Sequence, residues 1–131
     1  MVNAILVTHG DLAAELMRTA RSVFGEYDGC QAVNNEGKTP QTLADEIERL
    51  IAAGPPGARY IVFVDFFGGS CCHACLTVEQ ARDDVRIVAG VNLPMLLAFL
   101  YKREEVTFEQ LPDELIARGR NSIRRVSADD F

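Results

Sequence analysis

Apolar residues along this chain fall into short continuous runs, separated by longer stretches in which they recur at helical spacing. Ala4-Ile5-Leu6-Val7 and Tyr60-Ile61-Val62-Phe63-Val64 are the clearest runs, and each stops abruptly at polar residues. Runs of that length, too short for a helix, fit strands buried on both faces of a parallel sheet. Weaker strands are expected over residues 30–33 and 85–89. Leu12, Leu16, Thr19 and Val23 lie at helical spacing, with Asp11 placed to cap or charge the first turn and Gly25 as the stop. A second helix opens at Thr39-Pro40, buries Leu43, Ile47, Leu50 and Ile51, and ends at Gly54-Pro55-Pro56-Gly57. A third is capped by Ser70 and runs to about Arg82. Asn92-Leu93-Pro94 starts a fourth, and a last helix covers about 108–118 with Gly119 as its end. Residues 122–126 fit either a continuation of that helix or a short edge strand, and 127–131 a frayed acidic tail.

The order is β-α-β-α-β-α-β-α-α, with strands of the buried type. Such an order implies a parallel sheet covered by helices on both faces. Right-handed connections then leave a doubly wound, flavodoxin-like α/β sandwich of three layers with four parallel strands. No internal repeat, low-complexity tract or linker divides the chain, so residues 1–126 read as one domain.

Composition narrows the function. The chain has 131 residues, 48% of them hydrophobic and 24% charged, which fits one soluble globular domain and excludes disorder. Its net charge of −6 argues against nucleic acid, whose phosphates need a basic face. The N-terminus lacks the basic and small-residue features of an export signal, and no apolar run approaches a membrane span. With four cysteines, at 30, 71, 72 and 75, a reducing cytoplasm and free thiols are expected.

Ligands of such sheets bind outside the carboxyl ends of the strands, near the point where strand order reverses. The chain places Thr8-His9-Gly10 after the first strand, Asp65 and Gly68-Gly69-Ser70 after the third, and Gly90-Val91-Asn92 after the fourth. With the first and third strands adjacent, His9 and Asp65 enter one crevice. A carboxylate beside an imidazole fixes its tautomer and frees the other nitrogen as nucleophile or base. Helix N-termini after Gly10 and Gly69 aim N–H groups at any bound anion. Together these suggest a phosphohistidine. Taken singly, His9 also fits a structural strand-end histidine, Asp65 a turn former, and Gly-Gly-Ser an ordinary turn.

Other chemistries find less support. There is no Gly-x-Ser-x-Gly elbow, Walker A motif or G-x-G-x-x-G, so a serine hydrolase and nucleotide binding are disfavoured. Cys71-Cys72-His73-Ala74-Cys75 has zinc-type residues, but on a helix only Cys71 and Cys75 share a face. No metal is expected there. Packing thiols fit better, with the helix N-terminus expected to lower the pKa of Cys71 or Cys72 and confer some redox sensitivity.

Thr8-His9-Gly10, then Val64-Asp65-Phe66-Phe67-Gly68-Gly69-Ser70, then Ala89-Gly90-Val91-Asn92-Leu93-Pro94-Met95-Leu96 resemble, in order and spacing, the mannose-type enzyme IIA domain of the bacterial phosphotransferase system. The resemblance runs over residues 2–126. It implies that His9 accepts a phosphoryl group from the histidine-containing phosphocarrier HPr and passes it to a IIB component. It further implies that Asp65 orients the imidazole, while Ser70 and the backbone of Gly10, Gly68 and Gly69 hold phosphate oxygens. No cofactor is implied. The family is typically a homodimer exchanging a C-terminal antiparallel edge strand, for which 122–126 is the candidate.

The family often has Pro, a variable residue and Asn after Gly-Gly-Ser, where this chain has Cys71, Cys72 and His73. That departure bears on the helix start and on the rim facing a IIB partner. Three alternatives stand beside a transport carrier. One is a regulatory IIA domain without a cognate permease. Another is the phosphotransfer subunit of a dihydroxyacetone kinase, and the third a receiver-like domain phosphorylated on Asp65. The receiver reading lacks the acidic pair after the first strand.

Overall fold

The computed structural model describes residues Met1–Phe131. Its first strand, β1 (Val2–Thr8), is buried along its whole length. It is flanked on both sides, by β2 (Cys30–Asn34) and β3 (Arg59–Val64), with β4 (Val85–Ala89) beyond β3. All pairings are parallel, and the sheet order is β2-β1-β3-β4. The direction of winding therefore reverses between β1 and β3.

Alternation along the central strands builds two cores. Ala4 and Leu6 of β1 and Ile61 and Phe63 of β3 face one side, where α1 (Leu12–Phe24), α4 (Leu93–Lys102) and α5 (Leu111–Asn121) cover them. Ile5, Val7, Val62 and Val64 face the other, beneath α2 (Pro40–Ala53) and α3 (Gly69–Gln80). Phe63 is fully buried and meets Phe99 edge to face, with ring centroids 5.7 Å apart. Burying a side chain of that size contributes about 1.5–3 kcal/mol. The expected doubly wound three-layer sandwich of parallel strands is what forms.

Local details differ from the sequence reading. The buried face of α1 is Ala13, Met17 and Ala20, while Leu12 and Val23 are exposed. Small side chains let the helix approach the sheet closely, so the face lies one residue from the one marked by the larger apolar groups. Asp11 occupies the α1 N-cap without a side-chain cap bond; instead Thr8 Oγ1 accepts the Ala13 N–H at 2.8 Å. Helix α2 begins as expected, with Thr39 and Thr42 closing a reciprocal capping box. Ser70 is no cap, because Gly68 holds the N-cap of α3 and Ser70 lies inside the first turn.

The last helix starts later than expected and runs through Gly119. That glycine is buried, and a Cβ there would lie 2.8 Å from Met95 Cε, so it permits close packing of α5 on α4 rather than ending the helix. Phe108 precedes α5, buried beneath the guanidinium groups of Arg59 and Arg86. Residues 123–127 neither continue α5 nor pair as a strand within one chain, and all are exposed. The tail ends in an exposed 3-10 turn, Ala128–Asp130, closed by a Ser127–Asp130 capping box. No helix is long and apolar enough to cross a membrane.

Candidate active site

His9 and Asp65 each follow the last residue of a central strand. Val7 and Val64 are paired across β1 and β3, which puts Asp65 level with Thr8 and one position short of His9. The peptide before Asp65 is held by two bonds, because the Val64 carbonyl accepts the N–H groups of both Gly90 and Val91, at 3.0 and 3.1 Å. The end of β4 thus braces the acid.

Asp65 Oδ2 accepts the His9 backbone N–H at 2.9 Å and faces His9 Nδ1 at 2.8 Å. Its other oxygen accepts the Phe66 N–H at 3.1 Å. Burial alone would raise the Asp65 carboxyl, but the bonds from the His9 backbone and ring outweigh it, and the pKa lies below its ordinary value. The group is therefore an anion at neutral pH and can only accept, which places the imidazole proton on Nδ1. Nε2 keeps its lone pair. The His9 side chain is 44% exposed and that of Asp65 10%, so the acid lies behind the ring. Phe66 stacks on the imidazole at 5.0 Å and 20°.

Glycines shape the approach. Gly68 and Gly69 have φ of +98° and +75°, and a Cβ on Gly69 would lie 3.2 Å from the Phe66 ring. This turn brings the start of α3 against the ring that stacks on His9. The first-turn N–H groups of α3 have no side-chain cap, and helix geometry leaves such groups without intrahelical partners. Gly10, φ +56°, turns the chain after His9 toward α1. The imidazole is the accessible member of the pair, half-exposed in front of a nearly covered carboxylate. Phe67 beside it is 88% exposed.

Asn92 plays a different part. Its side chain caps α4 by accepting the Met95 N–H at 2.9 Å and donates to the Gly119 carbonyl at 3.3 Å. It secures the far side of the fold and does not join His9.

The cysteine-rich turn is dispersed by the helix. Cys71 and Cys75 are buried in the core beneath α3, Cys72 is half-buried and His73 exposed. Burial, with the nearby Asp65 charge, pushes the Cys71 thiol up to about 11. The lowering expected from the helix N-terminus does not prevail. What the sequence reading missed is the direction of Cys71, whose Sγ lies 3.9 Å from His9 Nδ1. Donor atoms of His9, Asp65 and Cys71 all fall within 4.8 Å of one another.

Comparison with known proteins identifies the family. The profile of the family described as PTS system fructose IIA component matches residues 3–116. The chain belongs to this mannose/fructose-type enzyme IIA family of the sugar phosphotransferase system, and a sugar phosphotransfer role follows from that membership. It is 30% identical over 125 residues to the PTS system fructose-specific EIIA component of Bacillus subtilis (strain 168), covering 95% of this chain and 86% of that protein. It is 28% identical over 131 residues to the PTS system mannose-specific EIIAB component of Escherichia coli (strain K12), covering 98% of this chain but only 41% of that longer protein. In fold it is similar to the phosphotransferase system component EIIA from Streptococcus agalactiae, at 19% identity and a TM-score of 0.86, with 95% of this chain and 97% of that one aligned.

Proposed function

We propose that this chain is a phosphoryl carrier whose acceptor is Nε2 of His9, charged by phosphorylated HPr and discharged to a histidine of a IIB component in sugar uptake or its regulation. The observation that carries this reading is the bond between His9 Nδ1 and Asp65, which leaves Nε2 as the unprotonated, outward nitrogen. In the transfer, the lone pair of Nε2 attacks phosphorus as the donor's P–N bond breaks. The Nδ1 proton stays on the ring, and the Asp65 anion balances the positive charge that grows there. Phosphate oxygens meet the uncapped N–H groups over 68–70, with Ser70 adding its hydroxyl and Gly10 the turn after His9. An exposed imidazole suits a phosphoryl group arriving on a partner protein, and the exposed Phe66 and Phe67 offer apolar contact beside it.

The same reading places the chain in the cytoplasm as a homodimer, with 122–126 pairing antiparallel on the open edge of β4 in a second copy. In support, β4 is an edge strand, and Ile123 and Val126 are exposed. Net charge of −6 favours encounter with a basic partner surface.

Incubation with phosphoenolpyruvate, enzyme I and HPr is expected to label the protein in an acid-labile, alkali-stable form. His9→Ala should abolish the label and His73→Ala should keep it. Loss with His73→Ala alone, or hydroxylamine-sensitive label on Asp65, overturns the assignment.

A further inference from the structure

We propose that His9, Asp65 and Cys71 also form a site for one borderline-soft divalent cation of the zinc type, and that its occupancy blocks phosphoryl acceptance. The blocking half rests on the carrier function proposed above; the binding half does not.

The donor set is one imidazole nitrogen, one carboxylate oxygen and one thiol sulfur, delivered by the ends of β1 and β3 and the first turn of α3. Mixed nitrogen, oxygen and sulfur donors suit zinc and cobalt and disfavour magnesium or calcium, which take oxygen. Spacing fits as well. Ordinary zinc–sulfur and zinc–nitrogen bonds in a tetrahedron hold S and N about 3.6 Å apart and N and O about 3.3 Å apart. Here Cys71 Sγ stands 3.9 Å from His9 Nδ1, and Nδ1 stands 2.8 Å from Asp65 Oδ2. The third edge, between Cys71 Sγ and the Asp65 carboxylate, lies within 4.8 Å and would have to close toward about 3.6 Å as the N–O edge opens, for the three donors to become vertices of that tetrahedron. The fourth would fall to water, as in other open zinc sites.

The three residues are braced independently of any cation. Asp65 is fixed by the His9 and Phe66 N–H groups, His9 by Phe66 stacking, and Cys71 by its fully buried place in α3. Donors held this way lose little freedom on binding.

Proton accounting explains the block. Binding converts the Cys71 thiol to a thiolate, releasing one proton to solvent. The cation takes the Nδ1 lone pair, so the imidazole proton moves through water from Nδ1 to Nε2. The ring stays neutral, but Nε2 now bears hydrogen and has no lone pair for phosphorus. Cation and phosphoryl group thus demand opposite tautomers of one histidine.

The test is titration of the whole protein with cobalt(II), followed by zinc. Expected are one tetrahedral cobalt per chain, a thiolate-to-cobalt charge-transfer band, and displacement of both signals by zinc. Cys71→Ser and, as a second small variant, Cys71→Ala should lose the band and bind cobalt at least about tenfold more weakly. Cys72→Ser and His73→Ala should keep both signals. A circular dichroism spectrum matching the parent establishes that each variant is folded. Absence of the band in the parent, or its persistence in folded Cys71 variants, overturns the site. In the second arm, one equivalent of zinc should suppress labelling from phosphorylated HPr in the parent, reversibly by chelator. Each Cys71 variant is compared with its own zinc-free rate and should show little suppression. Equal suppression overturns the blocking half, because zinc would then be acting on the other proteins. Failure of the zinc-free parent to take label would instead overturn the carrier function, leaving the cobalt result standing.

Discussion

One oxygen of Asp65 grips His9 twice, taking the backbone N–H at 2.9 Å and facing ring Nδ1 at 2.8 Å. The double contact sets ring position and tautomer together. Asp65→Asn should leave the fold intact but let the ring adopt the other tautomer. Phosphoryl acceptance from HPr, followed by rapid quench, is expected to slow by about 10²- to 10⁴-fold. An unchanged rate would remove Asp65 from the mechanism.

The same contacts predict a dependence of stability on pH. The Asp65 carboxyl has a lower pKa folded than unfolded, because the His9 bonds outweigh the opposing effect of burial. Its stabilisation is complete above the unfolded value of about 4 and is lost as pH falls through the folded one. Urea unfolding over this acid range should show a steeper loss of stability in the parent than in Asp65→Asn. Parallel curves would contradict the assignment.

Thr8 is fully buried and receives the Ala13 N–H at 2.8 Å. Thr8→Val keeps the shape and removes the acceptor, leaving a buried donor unpaired. A loss of about 1–3 kcal/mol is expected from the urea midpoint at constant m-value. Thr8→Ser should restore most of it.

At Gly119 two effects oppose. A Cβ would lie 2.8 Å from Met95 Cε, the mobile end of a flexible side chain, while alanine favours the helix by about 1 kcal/mol over glycine. Gly119→Ala should therefore change stability by under about 1 kcal/mol, whereas Gly119→Val, with bulk Met95 cannot clear, should lose about 1–3 kcal/mol. Thermal melts of both variants decide it.

Why some of this was legible in the sequence is plain from the residues. Buried strands announce themselves as apolar runs, and a parallel sheet delivers whatever follows those runs to one edge. His9 and Asp65 were therefore recognisable as neighbours although they lie 56 positions apart in the chain. The face of α1 was not, because Ala13 and Ala20 carry little hydrophobic signal although they make the contact. Gly119 looked like a terminus because close helix packing and helix termination select the same residue. Spacing along the chain relates Cys71 only to neighbours on its own helix. Its approach to His9 depends on how α3 leaves β3, which no spacing within 71–75 encodes.

The double grip on the Val64 carbonyl has a consequence for how the protein meets others. With Gly90 and Val91 clamping the peptide ahead of Asp65, three adjacent strand ends are stitched into one rigid rim. A docking partner has almost nothing to order at the His9–Asp65 pair, so little entropy is lost there on encounter. Discrimination between partners then falls to side chains outside the stitching, chiefly Phe67 and the exposed residues of the α3 turn. The rim can stay constant while its address changes.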